Sequence, residues 1–248
     1  MKNVLGIIIA VDGDNDLREI TEHRTVAAVP FGGRYRIVDF MLSEMVNSGI
    51  FRIGLIMKDK YQSLIDHIGN GKDWDLSRKN GGVTMLPPYS YSKKSSPLVV
   101  GEYRGKIDAL SGAIDFLQKN RAEYVVLADG DIIANIPIDE VIQQHIDAEN
   151  DITMVVTKKG KENRLSTYCE MNRRKEIVDI RVGDSNDSKC KHEALGVYVM
   201  SRQYLIHLIA DCVTHNCIHF ERELLTRALT DSKIGGYLFG AYSCKIED

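Results

Sequence analysis

The chain has 248 residues, of which 44% are hydrophobic and 27% charged, a composition that supplies a sizeable core and excludes intrinsic disorder. A net charge of -3 and a pI near 6.2 leave no general basic field, so nucleic acid is excluded as a first-choice partner and any anionic ligand needs a local site. The opening MKNVLGIIIAVDGD has too short an apolar run for a signal sequence, and no later stretch reaches the roughly 18 apolar residues of a membrane span, which argues against a membrane protein.

In chain order, residues 4–11 form a continuous apolar run rich in Ile, the pattern of a strand buried on both faces. An acidic turn at 12–16 ends it. Runs of the same kind recur at 53–57, 124–128 and 152–156, each preceded by a segment of helical periodicity. The helices are expected at 37–48, stopped by Gly49; at 60–68, stopped by Gly69; at 107–119; and at 138–149. Repeated strand-loop-helix units predict an α/β fold: a Rossmann-like, mostly parallel sheet with helices on both faces. Right-handed crossovers then gather the strand ends on one side, where the loops at 12–16 and 129–135 are expected to share a cleft.

Residues 69–101 are dominated by Gly, Pro, Ser and Lys and read as a long ordered loop. Beyond about Lys158 the pattern changes to short alternating strands at 167–171, 177–182 and 194–200, then helices at 202–212 and 220–230. With no Pro/Ser linker and no internal repeat, residues 1–248 read as one domain with an antiparallel extension at about 158–248. The cysteines Cys169, Cys190, Cys212, Cys217 and Cys244 form no CxxC pair, and five thiols without a secretory leader point to a reduced, cytoplasmic protein. Met41 and Met45 share a helix face with Val38 and read as core.

Two long motifs carry a resemblance. FGGRYRIVDFMLSEMVNSGI at 31–50 and WDLSRKNGG at 74–82, with Tyr103-Arg104-Gly105 and Gly130-Asp131, resemble bacterial glucose-1-phosphate adenylyltransferase, or ADP-glucose pyrophosphorylase. The similarity spans nearly the whole chain and fades after about Asn150. It implies a sugar-nucleotide transferase domain with nucleotide over the first loop. Members of the family also carry a C-terminal left-handed β-helix, for which no residues remain here.

The same resemblance implies a damaged site. The family's first loop resembles GGxGxRL, whose glycines open backbone N–H groups to phosphates and whose Arg neutralises charge. The corresponding residues here are Val11, Asp12, Gly13, Asp14, Asn15, Asp16 and Leu17, with Asp16 at the Arg position. A like-charge contact at about 4 Å costs on the order of 4 kcal/mol at an effective dielectric near 20. The family's lysine before FGG falls on Val26, its GTADA-like segment on Gly105-Lys106-Ile107-Asp108-Ala109, and its EKP-like sugar-phosphate motif on Val182-Gly183-Asp184. Of two metal-binding Asp positions, Asp131 is kept and the second falls on His219, a weak pair for Mg2+, which prefers oxygen ligands. No catalytic residue is assigned, Asp131 being a vestigial metal candidate. No cofactor is required unless the chain is catalytic, when Mg2+ is.

This pattern is similar to the GlgD-type subunit, which pairs with a catalytic GlgC-type homologue. It implies a regulatory or stabilising role in a hetero-oligomer of glycogen biosynthesis; the alternative is an active sugar-1-phosphate nucleotidyltransferase using ATP and Mg2+. A nucleotide or phosphorylated effector is a further candidate ligand, with Arg34, Arg36, Arg78, Lys79 and Arg104 as the residues to hold it, although each is as readily a surface charge or structural ion pair. Asp12, Asp14 and Asp16 have the alternate spacing of a calcium loop, but Leu17 stands at the required glycine and His23 at the twelfth position, so a solvated acidic turn is the simpler reading.

Overall fold

The apolar run that opens the chain forms β1 (Val4–Ala10), and its side chains alternate between two cores. Leu5, Ile7 and Ile9 join one cluster, while Ile8 and Ala10 join another on the opposite face. A strand covered on both sides has no polar face, which is why the sequence shows a solid run and no alternation. The structure is a computed structural model that describes residues 3–11, 17–78, 81–88, 103–160, 166–183 and 190–246.

After β1 come a short hairpin, β2 (Pro30–Phe31) and β3 (Tyr35–Arg36), then helix α1 (Ile37–Asn47), β4 (Arg52–Met57), α2 (Gln62–Ile68) and β5 (Gly82–Leu86). Next stand α3 (Lys106–Gly112), α4 (Ile114–Lys119), β6 (Tyr124–Asp129), β7 (Ile132–Ala134), α5 (Ile138–Asp147) and β8 (Ile152–Lys158). The remainder holds β9 (Thr167–Met171), β10 (Ile177–Val182), β11 (His192–Ser201), α6 (Arg202–Thr214), a π-helical turn at Phe220–Leu225, α7 (Thr226–Asp231), β12 (Ile234–Leu238) and β13 (Ser243–Lys245). The parallel core of the main sheet runs β6-β1-β4-β5. Antiparallel β11 joins it beside β6, β9 and β10 follow, and β8 with β12 pairs along β11's other edge. Helices α1, α2 and α5 cover one face, with Met41 and Met45 fully buried; α3, α4 and α6 cover the other. This is the mixed, mostly parallel α/β sheet that the periodicity predicts.

Three details depart from the sequence reading. The segment 69–101 contains a strand, because β5 adds in parallel to the β4 edge, with Gly82 N donating to Phe51 O at 2.7 Å. The helix expected at 107–119 breaks at Ala113 (φ -93°, ψ 4°), next to Gly112, a poor helix former. The extension is not wholly antiparallel, since β12 runs parallel to β8.

One irregularity positions the site. Residues 197–201 of β11 pair with β6, whereas 192–193 pair with β9 on the same edge. The switch falls at Gly196, which takes φ +68°, and the pairing with β8 shifts register there. β6 ends opposite this point at Asp129, whose Oδ2 lies 2.3 Å from where a Gly196 Cβ would be. Glycine is thus needed twice over: for the left-handed backbone and for the room its missing side chain leaves.

Candidate functional site

The carboxyl ends of β1, β4 and β6 open into one cleft of about 690 Å3, as the crevice rule for open α/β sheets requires. Ala10 and Val11 at the end of β1, Lys58 to Lys60 after β4, and Asp129 to Asp131 at the end of β6 line one part. The segment Tyr103 to Lys106 that leads into α3, the segment His219 to Arg222, and Lys245 with Ile246 close the rest. Gly130 N donates to Ile9 O at 2.8 Å and ties the end of β6 to β1. Opposite, Gly105 allows α3 to start against the backbone of Ile218: a Cβ there would lie 2.6 Å from Ile218 O, and Ile107 N donates to the same oxygen at 3.3 Å.

The charges at the cleft floor are spent on one another. Lys106 Nζ donates to Asp129 Oδ2 at 2.8 Å and to Glu221 Oε1 at 2.5 Å, and Tyr198 Oη donates to that Glu221 oxygen at 3.4 Å. Burial opposes the ammonium, but the two carboxylates outweigh it and raise Lys106 above the ordinary lysine value. Burial also pushes Asp129 up to about 6 against the pull of Lys106, with Asp131 adding to the rise. Glu221 would likewise be raised by burial, yet Lys106 holds it below its usual range. Burial and the same acids keep Tyr198 well above the ordinary phenol value and therefore neutral.

A second ammonium approaches from the C-terminal strand. β13 pairs with β7, placing Lys245 opposite Ile132, and Ile246 N donates to Asp131 O at 2.9 Å. Lys245 Nζ stands 3.9 Å from Asp129 Oδ2 and 3.9 Å from Asp131 Oδ2. Asp131 Oδ1 is buried and accepts no hydrogen bond among the described residues. Around the described lining as a whole, six lysines and arginines face four carboxylates.

The family resemblance implies a divalent metal at Asp131, and these residues do not fit one. Among the described residues no group of three or more His, Cys, Asp or Glu is placed to hold a metal ion, and the Asp129 and Asp131 carboxylates already face ammonium groups. A divalent ion about 4 Å from one ammonium meets a repulsion on the order of 8 kcal/mol at an effective dielectric near 20. Two ammoniums already border Asp129.

Other expected site residues separate into groups. Val11, Val26, Val182, Arg104, Asp131 and His219 all line the cleft. Arg104 is nonetheless committed, donating to Asp108 Oδ2 at 2.7 Å and to Asn216 Oδ1 at 3.2 Å, so it clamps the start of α3 to the segment after α6. Arg36 is structural: its Nη1 donates to Ser63 Oγ at 2.6 Å, its amide is capped by Asp39, and it stands outside the cleft lining. Arg78 pairs with Asp75 and lies over the Phe51 ring at 3.8 Å, and Arg34 is exposed between β2 and β3; neither is a cleft residue. Asp12, Gly13, Asp14, Asp16, Lys79 and Asp184 lie outside the described residues.

Sequence reasoning missed the working charges of this floor: Lys106, Asp129, Glu221 and Lys245. Lys106 and Asp129 sit inside or beside the motifs GKIDA and Gly130-Asp131, where an unexpected charge is visible. Glu221 and Lys245 arrive from distant chain segments, and no local pattern marks them.

A mostly parallel sheet whose strand ends and helix starts frame a charged cleft defines an α/β class that hosts many functions, and the comparisons narrow it. The nucleotidyl transferase family profile matches residues 6–180, and the chain belongs to that family. It is similar to the glucose-1-phosphate adenylyltransferase of Fervidobacterium nodosum, with 34% identity over 98% of this chain and 58% of that protein. It is similar to the enzyme of the same name from Thermotoga neapolitana, 34% identical over 96% of this chain and 56% of that protein. Against the glycogen biosynthesis protein GlgD of Geobacillus stearothermophilus the identity is 41%, over 61% of this chain and 43% of the relative. The chain thus spans little more than half the length of the adenylyltransferases it matches. Among the described residues no helix is long and apolar enough to cross a membrane.

Proposed function

We propose that this chain acts in glycogen biosynthesis as a GlgD-like regulatory or stabilising subunit of glucose-1-phosphate adenylyltransferase, with little or no turnover of its own, and that it works in the cytoplasm by contact with a catalytic GlgC-type homologue. The observation that carries this reading is the ion-paired floor, where Lys106 is held by Asp129 and Glu221. Phosphoryl transfer depends on positioned cations that can meet a triphosphate, and an ammonium held by two carboxylates at 2.8 and 2.5 Å has little charge left to offer. The sequence of the first loop adds to this: three aspartates, with Asp16 at the family's Arg position, oppose a polyanion. The 41% identity to GlgD over 61% of the chain points the same way.

The rival reading is an active sugar-1-phosphate nucleotidyltransferase using ATP and Mg2+, favoured by the 34% identity to a named adenylyltransferase over 98% of the chain. Retained family architecture is compatible with both readings, and the paired charges at the site support the first. The test is a turnover assay with ATP, glucose 1-phosphate and Mg2+, using the purified chain alone and mixed with a catalytic homologue from the same cell. We expect no ADP-glucose above background from the chain alone, and co-elution with changed turnover in the mixture. Robust turnover by the chain alone refutes the subunit reading.

A further inference from the structure

We infer that Lys245 and Lys106 together take the place of a divalent cation in this cleft, so that the carboxylates of Asp129 and Asp131 are neutralised from within and the cleft takes no divalent metal. The inference rests on the reading of the cleft as non-catalytic and deepens it.

The geometry of the acids comes first. Asp129 closes β6 and Asp131 follows one residue beyond Gly130, so the turn carries two carboxylates into the same end of the cleft. Left alone, such a pair of oxygen donors attracts a hard cation. Here the space that faces both acids holds an ammonium: Lys245 Nζ is equidistant, at 3.9 Å, from an oxygen of each. Asp129 Oδ2 also receives Lys106 at 2.8 Å. One oxygen thereby faces two ammonium groups.

The placement of Lys245 is built into the fold. Its strand pairs with β7 at three successive positions, Ser243 with Ala134, Cys244 with Ile133 and Lys245 with Ile132, and the next amide bonds Asp131 O. A ladder anchored on the residues that follow Asp131 delivers the lysine to the Asp131 carboxylate. The side chain retains 27% exposure, so it can be shortened without opening the core.

The test is a Mn2+ titration followed by the loss of the free-ion electron paramagnetic resonance signal, on the wild-type chain, Asp131→Asn, Lys245→Met, Lys245→Ala and the double variant Lys245→Ala with Asp131→Asn. We expect the wild type to show no site tighter than about 1 mM. Either Lys245 single variant is expected to gain one Mn2+ site at least about tenfold tighter, and the double variant to lose it. Two outcomes overturn the inference: stoichiometric Mn2+ binding by the wild type that Asp131→Asn abolishes, or no gain in Lys245 single variants whose melting curves match the wild type. The result is separable from turnover. An inactive chain that binds Mn2+ at Asp131 refutes this inference and leaves the subunit reading standing; an active chain with no Mn2+ site refutes the subunit reading alone.

Discussion

Replacing Lys106 with methionine is expected to destabilise the chain by about 3–5 kcal/mol, because it leaves two enclosed carboxylates facing each other without their shared counter-ion. Asp129 is buried, and the Lys106 and Glu221 side chains keep only 21% and 16% of their exposure, so water can relieve little of the loss. The pH dependence identifies the cause. Without Lys106, burial and mutual repulsion, offset only in part by the more distant Lys245, raise the folded-state pKa values of both acids above their unfolded values. Groups shifted upward cost stability as pH rises through the folded pKa and cost nothing below the unfolded one. Urea denaturation should therefore show a deficit near pH 8 that shrinks at about pH 5. A loss under about 1 kcal/mol at the higher pH would mean that the pair is solvated, like an exposed salt bridge.

Gly196→Ala is the second large effect, expected at about 2–5 kcal/mol. Part is backbone strain: φ +68° costs an L-residue roughly 1–2 kcal/mol. The remainder is the collision of the new methyl with Asp129 Oδ2, 2.3 Å away, in a packed strand pair where overpacking costs about 1–3 kcal/mol. Since the collision pushes Asp129 from Lys106, the glycine and lysine substitutions disturb the same ion pair. In urea denaturation the double variant should lose less than the sum of the singles. Strict additivity would show that Gly196 acts through the backbone alone.

These two positions illustrate what was legible in the sequence. The buried parallel strands were visible because a solid apolar run such as residues 4–11 has one ready explanation, a strand with a core on each face. The helices α1 and α5 were visible from periodicity, α1 also from its stop at Gly49. β5 was hidden because its five residues lie among glycines, lysines and prolines, and only the open edge of β4 makes that stretch a strand. Gly196 was invisible for a related reason: nothing around it in the sequence says that β6 ends beside it. The motif positions Asp131 and Val11 do lie in the cleft lining. Of the motif arginines, Arg104 lines the cleft while Arg36 and Arg78 hold helix and loop ends outside it. The ion-paired floor required the fold, because Lys106, Asp129, Glu221 and Lys245 come from four separate elements.

The acidic first loop is a property of sequence, and the engaged lysines are a property of tertiary structure. Both oppose a metal-bridged triphosphate, the first by repulsion and the second by filling the cation positions.

Calorimetric titration of the purified chain with ATP, in the presence and absence of Mg2+, tests this most directly. If the cleft is neutralised by its own lysines, Mg2+ should produce no gain in ATP affinity and no binding in the micromolar range. Tight binding that appears only when Mg2+ is added would contradict the account.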